Sequence, residues 1–156
     1  MNKSDNYSQI QTVVLVLLRL VIGYHFLEAG FDKLFNPAWT SAPFLMQSNW
    51  IFAGLFQSLA DNQTILSLID FMNIWGQILI GFGLILGLFS RWAAFSGALL
   101  IFFYYIAIPP FVTGYSFIDK NLFELFALII IALFPTSQII GIDLLIYKKF
   151  RRINND

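Results

Sequence analysis

The most reactive side chains of this sequence fall within one short stretch, GYHFLEAGFDKLF, at the end of its first apolar segment. In a helix, His25, Glu28 and Asp32 would share one face at i, i+3 and i+7 spacing. Arg19 and Lys33 would lie on nearly the opposite face. One polar face cannot hold all five residues. Either this helix is buried on two sides, or Arg19 and Lys33 pair with groups outside the histidine stripe.

The ionisable residues of the apolar segments predict a polar pocket. An ionisable side chain inside a membrane helix costs about 2.5–3.5 kcal/mol on insertion scales, so such residues normally face the protein interior and find partners. The predicted pocket residues are His25, Glu28, Asp32, Asn73, Gln77, Tyr104, Lys120, Asn121 and Glu124. Three of them are the predicted catalytic groups: His25, Glu28 and Glu124. Histidine is suited to acid-base chemistry because it exchanges protons near neutral pH.

Two interpretations of these charged residues are compatible with the sequence. In the first, Lys120 folds inward and bridges Glu28 and Glu124 beside His25, forming one shared site. In the second, the charged groups only fix helix register through ion pairs and hydrogen bonds, while Lys33 and Lys120 extend to the membrane surface. No metal or haem site is expected, because a single histidine and scattered carboxylates lack the spacing of zinc or haem ligands.

The composition requires a membrane environment. Hydrophobic residues make up 58% of the 156 residues and charged residues only 12%, too few to cover a soluble globule. Several apolar stretches approach the roughly 20 residues that a helix needs to cross the hydrocarbon core. Helices are expected because lipid offers no partners to backbone groups, and the stretches lack the alternation of barrel strands.

We predict an all-α membrane protein, a four-transmembrane-helix bundle that forms a single domain over residues 1–156. The predicted spans and a C-terminal interfacial helix lie at about 12–32, 67–89, 92–108, 119–138 and 139–150. A second interfacial helix is predicted in the connection between spans one and two, within SNWIFAGLFQSLADN. Thr64 is the predicted N-cap of span two, and the GxxxG pair in GLILG predicts close helix packing.

The placement of lysine and arginine predicts the orientation of the bundle. Six basic residues lie on one side, namely Lys3, Arg91, Lys148, Lys149, Arg151 and Arg152. Only Lys33 and Lys120 lie on the other side. The positive-inside rule then places both termini in the cytoplasm of an inner (plasma) membrane protein. The formal net charge of zero gives no bias towards nucleic acid, so the lipid bilayer is the expected environment.

Four stretches, LLRLVIGYHFLEAGFDKLF, GFGLILGLFSRWAA, KNLFEL and LFPTSQIIGIDLL, resemble the DoxX family of small four-span membrane proteins. The family includes the DoxD-like membrane subunit of thiosulfate:quinone oxidoreductase, an enzyme that joins two thiosulfates into tetrathionate and passes electrons to quinone. The resemblance implies the membrane subunit of a quinone-linked oxidoreductase, with quinone as cofactor and a partner subunit or a homo-oligomer. The residues expected to bind substrate or quinone are Arg19, Asp32, Lys33, Asn73, Trp75, Gln77, Tyr104, Lys120 and Asn121.

Under this interpretation, Lys33 or Lys120 would form an anion site, and a lipid-open groove beside Trp75 and Tyr104 would bind the quinone. Two other functions are compatible with the same residues. One is a non-catalytic scaffold that holds a partner enzyme at the membrane. The other is a small-solute or proton transporter, which is disfavoured because the sequence lacks the inverted repeats and broken helix pairs common in transporters.

The predicted orientation can be tested by cysteine labelling, because the chain contains no cysteine. A cysteine introduced in the predicted connection between spans one and two should react with a membrane-impermeant thiol reagent on intact cells. A cysteine beside Arg91 should react only after lysis. The reverse pattern would overturn the predicted orientation.

Overall fold

A computed structural model describes residues 7–114 and 117–145. Within these ranges the chain forms helices and turns with no β-strand, which confirms the all-α prediction. The α-helices are α1 Gln9–Leu34, α2 Ala42–Met46, α3 Ala53–Asp61, α4 Gln63–Leu86, α5 Ser90–Ala107 and α6 Lys120–Leu133. Short 3-10 helices lie at Pro110–Thr113 and Thr136–Gln138.

Three helices in the described part of the chain are long and apolar enough to cross a membrane, namely α1, α4 and α5. They contain 26, 24 and 18 residues. At about 1.5 Å per residue, these helices measure about 39, 36 and 27 Å. Large apolar side chains such as Val21, Phe71 and Phe95 remain exposed on their surfaces, which suits contact with lipid. The chain is therefore a membrane protein with several apolar helices.

The structure does not confirm a fourth span. α6 has 14 residues, or about 21 Å, fewer than the roughly 17–25 residues of a membrane span. The helix predicted over 119–138 ends earlier, at Leu133, because Pro135 disfavours the helical conformation of the residue before it. The predicted interfacial helix at about 139–150 extends outside the described residues, which end at 145.

Side-chain caps determine where the two longest helices begin. The Ser8 hydroxyl accepts a hydrogen bond from the Gln11 N–H, and the Gln11 side chain accepts one from the Ser8 N–H, so α1 starts with a capping box. At the start of α4, the Asn62 side chain accepts from the Thr64 and Ile65 N–H groups at 3.1 and 3.2 Å. The prediction of Thr64 as the N-cap was wrong, because asparagine is the stronger cap and lies just before the helix.

α1 and α4 pack antiparallel through glycines. Gly23 lies beside Gly81, and Gly30 lies beside Ile78, so the contact register runs in opposite directions along the two helices. A methyl group at Gly81 would lie 2.8 Å from the Gly23 carbonyl oxygen and 2.8 Å from the Leu27 nitrogen. The two backbones are therefore in contact, as expected for a glycine-rich membrane helix.

α5 and α6 complete one hydrophobic core with α1 and α4. Phe26, Leu84, Ala94 and Leu128, one from each helix, are at most 1% exposed. Gly87 ends α4 with a φ of 63°, a left-handed conformation that favours glycine and lets the chain turn into α5. Four helices thus share one core, although only three of them reach the length of a membrane span.

The connection between α1 and α4 folds over one end of the bundle as α2 and α3. Leu45 and Phe56 of these short helices pack with Leu66 and Ala107 in a second core. Trp50 donates its indole N–H to a backbone carbonyl of α5 at 2.6 Å. The short helix predicted in this connection is therefore present, although it begins at Ala53, after the tryptophan.

We expect Gly81→Val to lower the unfolding temperature of the detergent-solubilised protein by several degrees. The valine side chain would meet backbone atoms of α1, and overpacking of this kind costs about 1–3 kcal/mol. Gly76→Ala is the matched control on the same helix, because a methyl group there has no atom within 4 Å. Equal losses of stability in the two variants would contradict a direct backbone contact between α1 and α4.

Candidate functional site

The rotation of α1 separates its charged residues onto two faces. Its buried residues are Arg19, Gly23, Phe26 and Gly30. The histidine stripe of His25, Glu28 and Asp32 is exposed. Arg19 and Lys33 therefore pair with groups outside the stripe, which was one of the two alternatives open from the sequence.

Arg19 is 2% exposed and lies near the middle of α1, about four turns before Lys33. Its guanidinium donates to the Thr136 hydroxyl at 3.3 Å and to the Ile140 carbonyl oxygen at 2.9 Å. The negative charge of Asp143 also acts on it. Arg19 thus ties α1 to the segment that follows α6, apart from the other predicted site residues.

Lys33 begins a hydrogen-bonded chain that crosses from α1 to α4 and α5. Its ammonium donates to the Gln77 side-chain oxygen at 2.5 Å and to a backbone carbonyl of its own helix at 3.4 Å. The Gln77 amide donates to the Tyr104 hydroxyl at 3.4 Å, and that hydroxyl donates to the Asn73 side-chain oxygen. Lys33 also lies 5.3 Å from the centre of the Trp39 ring, within cation-π range.

A cavity of about 890 Å³ opens beside this chain of polar groups. Its polar lining includes Lys33, Asn73, Tyr104, Lys120 and Asn121. Most of its wall is apolar and comes from α2, α3, α4 and α5, with side chains such as Phe44, Leu55, Ile69, Leu99 and Phe103. Among the described residues, Lys33 and Lys120 are the only charged groups in the lining. The cavity therefore combines two cations with a large apolar volume.

His25 and Glu124 form an ion pair between α1 and α6, the only one found in the described part of the chain. The His25 Nε2 lies 3.0 Å from the Glu124 Oε1, and the two side chains are 53% and 13% exposed. The charge of Lys120 acts on Glu124, and the charge of Glu124 acts on Tyr104. The predicted bridge from Lys120 to Glu28 and Glu124 is not formed, because neither carboxylate lies within 4.0 Å of the lysine nitrogen.

The sequence profile of the DoxX family matches residues 14–111. The chain belongs to the DoxX family. The matched region of this DoxX protein runs from α1 to the 3-10 helix after α5, and it includes the whole chain of polar groups from Lys33 to Asn73. It ends before α6, which contributes Lys120 and Glu124. No curated protein and no solved structure matches the chain.

Trp75, which the sequence predicted beside Tyr104 in a groove, lies outside the cavity that Tyr104 lines. It is 44% exposed, packs against Phe71 and does not line the cavity. At about 100° per residue, Trp75 lies roughly 200° around α4 from Asn73 and Gln77, which face the bundle interior. In this DoxX protein the exposed Glu28 and Asp32 also lie outside the cavity lining. The described residues contain no group of three or more side chains able to hold a metal ion.

Sequence reasoning missed the contribution of the segment that leads into α2. Trp39, Thr40 and Ser41 line the cavity of this DoxX protein, and the Ser41 N–H and hydroxyl both donate to one oxygen of Asp70 at 2.8 and 2.5 Å. Asp70 thus holds this segment against α4. The signal in the sequence is a tryptophan directly followed by two hydroxyl residues between Pro37 and Pro43.

We expect Arg19→Met to destabilise the DoxX protein without changing ligand binding at the cavity. The substitution removes two hydrogen bonds from a charged donor, each worth about 1.5–3 kcal/mol. The unfolding temperature in detergent should fall, whereas the affinity for a ligand of the cavity should stay within twofold of wild type. A strong loss of affinity in a folded Arg19→Met protein would show that Arg19 contributes to the binding site.

Proposed function

We propose that this DoxX protein is the membrane subunit of a quinone-linked oxidoreductase and that the cavity beside Lys33 is its quinone site. The observation that carries the proposal is the combination of two lysines and no acidic residue in a large, mostly apolar cavity. Such a cavity suits a lipid-soluble molecule whose polar head carries hydrogen-bond acceptors. Ligand pockets typically measure about 300–1,000 Å³, so the volume suits a quinone ring with part of an isoprenoid tail.

The polar end of the cavity supplies the groups that would hold the head of such a ligand. The Lys33 ammonium has three N–H donors and uses two of them within the protein, which leaves one for a ligand oxygen. The amide of Asn73 and the hydroxyl of Tyr104 lie at the same end. The apolar walls from α3 and α5 would accept the tail.

The two lysines also suit the chemistry. A bound quinone would accept two electrons and two protons at its carbonyl oxygens. Lys33 and Lys120 would stabilise negative charge that develops there, because fixed cations act more strongly among apolar walls than in water. The family resemblance implies a reduced-sulfur anion as donor. Oxidation of two thiosulfate ions to one tetrathionate releases two electrons, which balances the reduction of one quinone with two protons taken from water.

The proposal includes four spans with both termini in the cytoplasm of the inner membrane. α6 would form the core of the fourth span, because it packs into the same hydrophobic core as the three long helices. The cavity would then lie near the extracytoplasmic face, together with Lys33 and Lys120. This orientation follows from the six-to-two division of basic residues around the predicted spans.

The quinone site can be tested by tryptophan fluorescence, because Trp39 lines the cavity. Decylubiquinone and menadione should quench the fluorescence of the protein in nanodiscs, and Trp39→Phe should remove the saturable part of the signal. Lys33→Met should weaken binding at least tenfold, about 1.4 kcal/mol. Arg91→Gln is the matched control, because it removes an exposed cation outside the cavity lining.

A substitution that fills part of the cavity gives an independent test of the quinone site. Gly76 lies in the cavity lining, and a Cβ atom added there would have no atom within 4 Å. Gly76→Leu should therefore reduce quinone affinity in a protein of unchanged stability. Absence of saturable quenching in wild type, or equal affinities for wild type, Lys33→Met and Gly76→Leu, would contradict the proposed site.

A non-catalytic scaffold is the second candidate function. Glu28 and Asp32 are exposed on α1 next to His25, where lipid would cover them unfavourably and a partner helix would cover them better. A protein that binds no quinone, yet loses a co-purifying partner subunit on Glu28→Leu substitution, would favour this function.

A further inference from the structure

The His25–Glu124 pair connects the exposed surface of α1 with the interior of the bundle. The His25 side chain is about half exposed, whereas the Glu124 side chain is mostly covered. The two groups lie within hydrogen-bonding distance at 3.0 Å. An ion pair that only stabilises the fold does not need one exposed and one covered partner. The difference in exposure between His25 and Glu124 therefore requires an explanation.

The outer end of the pair continues along a polar stripe. Glu28 and Asp32 follow His25 at i+3 and i+7 on the same exposed face of α1 and reach towards the end of the helix. Side chains three or four residues apart are neighbours on a helix surface. The stripe therefore gives water and protons a polar route to His25 along a helix that is otherwise covered with apolar side chains.

The inner end of the pair approaches the cavity. Glu124 follows Lys120 and Asn121 of the cavity lining by one turn of α6, so it lies next to the cavity. The Tyr104 hydroxyl, hydrogen-bonded to Asn73 and Gln77, lies at the Lys33 end of the same cavity. Within the described part of the chain, no acidic residue lines the cavity. Asp70, the other carboxylate near the cavity, already accepts two hydrogen bonds from Ser41 and has no histidine beside it.

We propose that His25 and Glu124 relay protons between the surface of the protein and the Tyr104 end of the cavity. This inference rests on the proposed quinone site. His25 would take a proton from water along the stripe and pass it to the Glu124 carboxylate, which releases it towards the cavity and returns to its charged form. Two such cycles supply the two protons that accompany the two electrons from the donor, so charge balances at the site.

The groups that face Glu124 support this role. His25 of α1 lies 3.0 Å from it, Lys120 lies one turn before it on α6, and Tyr104 of α5 is influenced by its charge. A histidine, a cation and a hydroxyl therefore lie near one carboxylate. Transfer from Glu124 to the Tyr104 end of the cavity would pass through water, because the Tyr104 hydroxyl is already hydrogen-bonded to Asn73 and Gln77.

The relay can be tested by voltammetry of the protein with bound decylubiquinone, which needs no natural electron donor. His25→Gln and Glu124→Gln should slow proton-coupled reduction of the bound quinone at least tenfold at pH 7. Quinone affinity, measured by tryptophan quenching, should stay within twofold of wild type. Asp61→Asn is the control, because it removes an exposed carboxylate at the end of α3, away from the cavity lining.

Chemical rescue separates a proton relay from a structural ion pair. Added imidazole should restore the rate of His25→Gln, because the exposed position of the histidine is accessible, and it should not restore Glu124→Gln. If Glu124→Gln does not fold, His25→Gln and its rescue still decide the question. Unchanged rates in both variants with intact quinone binding, or a slow His25→Gln protein that imidazole does not rescue, would overturn the relay alone. Absence of quinone binding in wild type would overturn the proposed function and the relay with it.

Discussion

The contact between the bare backbones of α1 and α4 at Gly23 and Gly81 determines the rotation of α1 about its axis. At this approach, a side chain larger than hydrogen would collide with backbone atoms, so only one face of α1 can turn towards α4. Gly23 and Gly30 lie on that face, so helical geometry places Arg19 in the bundle interior and His25 on the exposed surface. The arrangement of every charged group on α1 follows from this one contact.

The same contact brings Lys33 to a neutral partner. Gln77 accepts a hydrogen bond from the ammonium without cancelling its charge, and no carboxylate of the described residues lies within 4.0 Å of it. Among the acidic residues, Asp70 accepts hydrogen bonds from Ser41, and Glu124 forms an ion pair with His25. If a carboxylate were paired with the lysine, the two charges would largely cancel and would attract an anionic ligand only weakly. Lys33 retains a positive potential at the polar end of an otherwise apolar cavity.

Composition and hydrophobic runs were enough to predict the membrane class, the all-α fold and the approximate positions of α1, α4 and α5, because each of these depends on local sequence. The helix predicted to residue 138 ends at Leu133, because Pro135 disfavours a helical conformation in the residue before it. Helical periodicity was enough to place Arg19 and His25 on different faces of α1. It could not predict the Lys33–Gln77 and His25–Glu124 pairs, because they join residues that are far apart in the sequence and meet only when the helices pack. The placement of Trp75 in a groove rested on its residue type alone.

The bond between Arg19 and Thr136 has a consequence for the synthesis of the protein. The two residues are 117 positions apart, and at about 5–20 residues per second the ribosome needs roughly 6–23 s to make the second after the first. During that interval, α1 has already entered the bilayer with a guanidinium whose acceptors do not yet exist. The side chain must extend to the headgroups until they emerge. The segment after α6 therefore supplies the acceptors that let Arg19 remain buried, and a chain terminated before Thr136 would retain an uncompensated charge in its first helix.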